Sequence, residues 1–155
     1  MTIRLTTLQV RAPVPGRVIP MGDVPDPVFA GSLVGPGAAV DPSRTPQRVL
    51  APVDGRIAKL HPHAFVVVTG DGRGVLVHLG IDTVQLKGTG FRLLAAEGDE
   101  IEAGAAIVEW DPAVIESGGR SPVCPVVALG AAADDVRVVA TGGEIVVGAA
   151  LFTWS

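Results

Sequence analysis

Tyrosine is absent from this 155-residue chain, cysteine occurs once, and aromatic residues make up only 4%. The lone Cys124 excludes an internal disulfide and suits a reducing compartment. Basic residues are sparse: 12 Lys and Arg stand against 16 Asp and Glu, for a net charge of −4, and no basic stretch exists. Such a surface cannot neutralise a phosphate backbone, so nucleic acid is not an expected partner. No apolar run approaches the roughly 20 residues that cross a bilayer, and Met-Thr-Ile-Arg-Leu does not open a signal peptide. The composition therefore predicts a cytoplasmic, soluble monomer, folded as a single domain over residues 1–155.

What the chain has in quantity is 20 glycines and 13 prolines within a 48% hydrophobic composition. That profile suits short strands joined by tight turns. Strands are expected at 37–40, 48–53, 55–60, 64–69, 74–79, 90–96, 105–110, 123–129, 136–140 and 149–154, an all-β sandwich or barrel. Two brief helical turns are predicted where Asp26-Pro27 and Asp111-Pro112 put a capping carboxylate before a proline, the second ending at Gly118. The stretch Asp41–Arg48 reads as a mobile loop.

Two segments repeat. Ala-Pro-Val-Pro-Gly-Arg-Val (12–18) returns as Ala-Pro-Val-Asp-Gly-Arg-Ile (51–57). Ala-Glu-Gly-Asp-Glu-Ile-Glu-Ala-Gly-Ala-Ala-Ile (96–107) returns at 140–151, with Trp110 and Trp154 each three residues beyond. Two copies point to paired half-motifs rather than a solenoid, which needs three or more units. The Pro-Val-x-Gly-Arg elements read as turns entering strands, and Gly-x-Glu-Ile-x-x-Gly as a strand between tight turns.

All three histidines fall between positions 61 and 78. His63 opens one apolar run, His78 closes the next, and Gly-Asp-Gly-Arg between them signals a hairpin. A two-residue turn at Gly70-Asp71 places His63 directly opposite His78, with Cβ atoms about 5 Å apart. A turn at Asp71-Gly72 makes the pair diagonal on one face, and only a three-residue loop or a bulge separates them. Facing imidazoles can hold an anion, a metal or a covalent phosphate. Histidine is a neutral nucleophile near pH 7, since its ordinary pKa is about 6.5.

Five blocks around this pair carry a resemblance: Asp-Val-Pro-Asp-Pro-Val-Phe-Ala (23–30), Ala-Pro-Val-Asp-Gly (51–55), His-Ala-Phe (63–65), Val-His-Leu-Gly-Ile-Asp-Thr-Val-Gln-Leu-Lys-Gly-x-Gly-Phe (77–91) and Gly-Asp-x-Ile-x-x-Gly (98–104). Their order, and the 15-residue spacing of the two histidines, resemble the glucose-class enzyme IIA of the bacterial sugar phosphotransferase system. The resemblance implies a compact β-sandwich with pseudo-duplicated halves. It implies a phosphotransferase that takes a phosphoryl group from the histidine-containing phosphocarrier protein and passes it to the IIB domain of a sugar permease. By the same resemblance His78 is the phosphorylated residue and His63 its partner. Asp26 and Asp82 match aspartates that meet basic residues of the phosphocarrier. Val28 and Phe29 belong to an exposed apolar collar; Phe65, two residues after His63, is placed on its face of the strand by alternation. Neither a cofactor nor a metal is expected.

One departure lies beside the site. The connection Arg-Ile-Ala-Lys-Leu-His-Pro is two residues shorter than usual in that family, and His61 stands where the family has a threonine that orients the imidazole. His61 is left with three readings: a replacement hydrogen-bond partner, a third imidazole in the phosphate pocket, or an exposed loop residue.

Three other function classes compete. A lysostaphin-type zinc peptidase would use His61-Pro62-His63 and His78, but its upstream His-x-x-x-Asp pair is missing, because no histidine precedes position 61. A biotinyl- or lipoyl-carrier module needs a lysine on an exposed turn between the halves, and neither Lys59 nor Lys87 has that context. A regulatory binding protein without phosphotransfer would keep the same surface.

Overall fold

The computed structural model describes residues 6–140 and 142–155; Met1–Leu5, read above for a leader pattern, and Thr141 of the second repeat lie outside them. Fourteen strands are formed among the described residues. In chain order they are β1 (Leu8–Arg11), β2 (Gly16–Pro20), β3 (Gly37–Pro42), β4 (Gln47–Leu50), β5 (Gly55–His61), β6 (Ala64–Val68) and β7 (Gly74–His78), then β8 (Phe91–Leu93), β9 (Glu100–Ile101), β10 (Ala106–Trp110), β11 (Cys124–Ala128), β12 (Val136–Val138), β13 (Gly143–Ile145) and β14 (Ala150–Trp154). Both predicted helical turns are present as α1 (Pro27–Ala30) and α2 (Pro112–Ser117). Each is capped by the expected aspartate: Asp26 accepts from the Val28 amide at 2.8 Å and Asp111 from the Ala113 amide at 3.0 Å. α2 stops at Gly118.

The strands make an antiparallel sandwich. One eight-stranded sheet has the order β13-β2-β3-β11-β7-β6-β5-β9, and two three-stranded sheets, β1-β14-β12 and β4-β10-β8, pack over it. The main core lies between them, with Ile57, Phe65, Leu79, Ile107, Leu151 and Phe152 almost fully buried. On the far side of the large sheet a smaller cluster of Met21, Val24, Phe29, Ala39, Ile81, Val123 and Val127 packs under α1. β11 serves both, Val126 facing the main core and Val127 the small cluster, as strand alternation requires.

The two repeats are two halves with matching hydrogen bonds. Ala12 donates to Ala149 and accepts from Gly148; Ala51 donates to Ala105 and accepts from Gly104. The first repeats also lie against each other, the Arg11 amide on the Pro52 carbonyl and the Leu50 amide on the Pro13 carbonyl. Ile145 pairs with Gly16 as Ile101 pairs with Gly55. Under this correspondence the order of the large sheet is a palindrome whose centre is the β11–β7 seam. What differs is the connection from β2 to β3, a long segment that carries α1, and its counterpart from β5 to β6, only Pro62 and His63.

The glycine of each Pro-Val-x-Gly-Arg has a packing reason. A Cβ on Gly16 would lie 2.1 Å from the Asp41 carbonyl oxygen, and one on Gly55 would lie 2.2 Å from that of Val68. The Asp41–Arg48 stretch is less free than its composition suggests. β3 and β4 occupy half of it, and Arg44 ties the rest to α2, bonding Asp41 at 2.7 Å and Glu116 at 2.8 Å.

Gly55→Ala is expected to cost about 2–3 kcal/mol, because backbone rather than a flexible side chain blocks the new methyl. A denaturation midpoint unchanged from wild type, at equal m-value, would contradict this close approach.

Candidate functional site

β6 and β7 form the predicted hairpin, but its register differs from both two-residue alternatives. Ala64 faces His78 and Phe65 faces Val77, so the tip is the three-residue loop Gly70–Gly72 closed by Thr69 and Arg73. The reason is Arg73, which is 6% exposed and needs partners for its guanidinium. It finds them in the Asp71 carboxylate at 2.7 Å and the carbonyls of Trp154 and Thr6 at 2.6 and 2.7 Å. Arg73 and, secondarily, the Thr69 hydroxyl hold the Asp71 carboxyl down to about 2. Drawn inward to that ion pair, Asp71 takes the middle of the loop.

His78 ends β7. Alternation sends Val75 and Val77 into the main core and leaves His78 half-buried on the α1 side of the sheet. There the Phe29 ring lies against it, centroids 5.2 Å apart at 57°. Beyond His78 the chain turns sharply. Gly80 has φ of 81°, and a Cβ there would meet Thr83 Cγ2 at 2.7 Å and the Ser121 carbonyl at 3.0 Å. The buried Thr83 hydroxyl fixes the turn by donating to the Leu79 carbonyl at 2.7 Å. This turn sets the Gly80 carbonyl 2.6 Å from His78 Nδ1. A carbonyl only accepts, so Nδ1 carries the ring proton and Nε2 keeps its lone pair free.

His63 reaches the same place from outside the strand. β5 and β6 are joined by the turn Pro62–His63, with His61 paired to Ala64, and the Leu79 amide donates to the His63 carbonyl at 2.7 Å. Because His63 is not part of the pleat, the register does not turn it away. The two imidazoles meet edge to face, centroids 5.3 Å apart at 70°. His61, exposed at the end of β5, stacks on the outer face of His63 at 5.8 Å and 24°.

Burial is the main cause holding both inner imidazoles below the ordinary histidine value. For His63 the charges of His78 and His61 add to it; for His78 the Gly80 hydrogen bond and the charges of Asp26 and Asp82 oppose it. Both rings are thus neutral near pH 7. Cys124 is no rival nucleophile, since full burial pushes its thiol up.

The model of the phosphoenolpyruvate-dependent sugar phosphotransferase system family EIIA 1 matches residues 8–133. The chain belongs to that family. It is 38% identical over 144 residues to the glucose-specific EIIA component of Haemophilus influenzae, covering 91% of this chain and 84% of that protein. It is also 38% identical over 139 residues to the N-acetylglucosamine-specific EIICBA component of Klebsiella pneumoniae, covering 88% of this chain but 21% of that longer protein. The solved glucose permease IIA of Mycoplasma capricolum superposes with a TM-score of 0.84 over 99% of both chains, at 29% identity. The EIIA chain is accordingly a phosphotransferase component of sugar uptake that works through a phosphohistidine, taking the group from a donor and handing it to an acceptor. No helix among its described residues is long and apolar enough to cross a membrane.

Around the histidines the EIIA structure corrects two placements. Phe65 is 1% exposed and faces the main core, because its strand alternation does not include His63. Phe29 is only 9% exposed, its ring spent on His78 rather than on solvent. Val28 and Asp82 are exposed and Asp26 is half-buried, and the charges of both aspartates reach His78. The sequence reading missed Gly80, and it missed the exposed apolar residues Leu33 and Val84, which lie just after α1 and Asp82. Val84 stood within a quoted block, and its place between the turn at Asp82 and a polar residue was the available signal. Concavities of about 670 and 790 Å³ open elsewhere, the first beside Arg48, Phe91 and Trp110, and neither is lined by a histidine.

The depressed values fix a sign. Histidines in the unfolded chain titrate near 6.5, so the stability held by neutral His63 and His78 is complete above that pH and is lost as pH falls through their lower folded values. Side-chain nitrogen NMR should place both midpoints below 6.5; a midpoint above it for either ring would contradict the burial argument.

Proposed function

We propose that His78 is the residue that carries the phosphoryl group and that its Nε2 is the nucleophile. The hydrogen bond from Nδ1 to the Gly80 carbonyl carries this reading, because it leaves Nε2 as the free nitrogen. In the transfer, a bond forms between Nε2 and phosphorus as the donor's nitrogen–phosphorus bond breaks and the donor nitrogen keeps the electron pair. Nδ1 retains its proton, so the phosphorylated ring is formally cationic. Asp26 and Asp82, whose charges favour a cationic His78, stabilise that state. His63 donates an N–H to the phosphoryl oxygens from the facing side. Phosphoryl transfer rests on alignment and electrostatic stabilisation, and a hydrogen-bonded nucleophile facing one donor supplies both.

The donor in this reading is the histidine-containing phosphocarrier protein and the acceptor the IIB domain of a sugar permease. The Klebsiella relative, in which this region is joined to further parts named C and B, supports such an acceptor. Exposed Val28 with acidic Asp26 and Asp82 beside the nucleophile suits a basic partner with an apolar centre, docking over a shallow site. A donor charged from phosphoenolpyruvate is a cytoplasmic protein, which supports a cytoplasmic location for this one.

Intact mass before and after incubation with phosphoenolpyruvate, the phosphocarrier and its kinase tests the reading: one acid-labile phosphate should appear, and phosphopeptide mapping should locate it on His78. His78→Ala should accept none. His63→Ala should still accept, but pass the group onward about 10²-fold more slowly, the range for losing one positioned proton donor. Phosphate mapped to His63 or His61 would reverse the assignment.

Docking has its own test. Asp26→Asn combined with Asp82→Asn should slow acceptance about ten-fold at low ionic strength and flatten its salt dependence. An unchanged rate and salt slope would refute electrostatic steering.

A further inference from the structure

His61 is the part of this cluster that the phosphorelay reading leaves without a task. It stacks on His63, which in turn packs edge to face with His78, so the three imidazoles form a row of successive contacts from exposed His61 to His78. The members of the row differ in burial. His63 and His78 are half-buried, whereas His61 is exposed at the end of β5. A phosphoryl group on Nε2 brings close to two negative charges to the inner end of this row.

That charge attracts a proton, and the row offers two places for it. A proton on His63 must overcome burial and the neighbouring imidazoles, which already disfavour its charged form. His61 is exposed, so its ring remains in contact with water. His63 can serve the phosphoryl oxygens as a neutral N–H donor, while the full charge resides one ring further out.

The other charged groups around His61 do not supply this charge locally. Lys59 lies two residues earlier on β5, and Lys87 precedes Gly88, the glycine whose Cβ would sit 3.4 Å from Pro62. Glu97, from the segment before β9, approaches from another side, with its carboxylate accepting the Leu60 amide at 3.1 Å. Both lysines and Glu97 are exposed and hydrated.

Resting on His78 as the phosphorylated residue, we propose that His61 is the second cationic partner of the phosphoryl group, taking up a proton when the group arrives and releasing it when the group leaves. The atoms balance simply: the nitrogen–phosphorus bond moves from donor to Nε2, and solvent supplies the proton to the His61 ring. The phosphorylated chain then holds more protons than the free chain, so acidification between pH 7.5 and 6 shifts the transfer equilibrium toward phosphorylated His78.

The experiment uses the full chain, phosphorylated by phosphoenolpyruvate through the phosphocarrier and its kinase, with mass and site mapping to verify phosphate on His78. Side-chain nitrogen shifts at pH 7 should show the imidazolium fraction of His61 rising about two- to three-fold on phosphorylation. His61→Phe keeps a stacked ring but holds no proton, and His61→Gln keeps polarity without either. Both variants should still accept phosphate, yet show a weaker pH dependence of the transfer equilibrium than wild type under identical conditions. If His78 carries phosphate while the His61 shifts stay fixed, or if His61→Phe matches wild type across that pH range, this inference is wrong and the relay reading survives. Failure to phosphorylate His78 at all would overturn both.

Discussion

A backbone carbonyl cannot donate a hydrogen bond, and the chemistry of this site follows from that restriction. Once the Gly80 oxygen lies 2.6 Å from His78 Nδ1, the tautomer and the ring orientation are set, and Nε2 is left with its lone pair free. The contact depends in turn on a glycine with positive φ, on the buried Thr83 hydroxyl that pins Leu79, and on the β11–β7 seam that holds the strand end in place. None of these groups reacts. They orient a ring that burial holds below the ordinary histidine value.

Much of this architecture was legible in the chain because it is written twice. A repeated Ala-Pro-Val-x-Gly-Arg implied paired half-motifs, and the structure gives Ala12 and Ala51 equivalent hydrogen bonds. Asp-Pro pairs located both helical turns, since capping and proline preference are local properties. The hairpin was visible, but its register was not. Gly-Asp-Gly is compatible with several loops by local rules, and the choice was made by Arg73 reaching the distant carbonyl of Trp154. Tertiary demands of that kind leave no short-range trace.

Side-chain direction failed for a related reason. Alternation was applied through His63 to Phe65, although His63 lies in a turn where the pleat does not operate. The adjacency of the two imidazoles therefore arose by a route different from the one expected: the expected opposed register was absent, and the turn brought the rings together anyway. Phe29 illustrates the complementary limit. An aromatic in a helical turn reads equally as collar or core, and only the position of His78 beneath it decides.

The palindromic sheet gives the site a division that its chemistry alone does not suggest. The connection following β5 has only two residues and presents an imidazole, whereas its counterpart following β2 is a covering segment that carries Phe29, Val28 and Asp26. The two descend on His78 from opposite halves of a symmetric frame. His78 is thereby approached by His63 from one copy of the motif and by Phe29 from the other. Residues 21–36 therefore serve two ends at once, exposing Val28 to solvent while Phe29 steadies the His78 ring, so variation in this segment is confined to positions other than Phe29 and its buried neighbours.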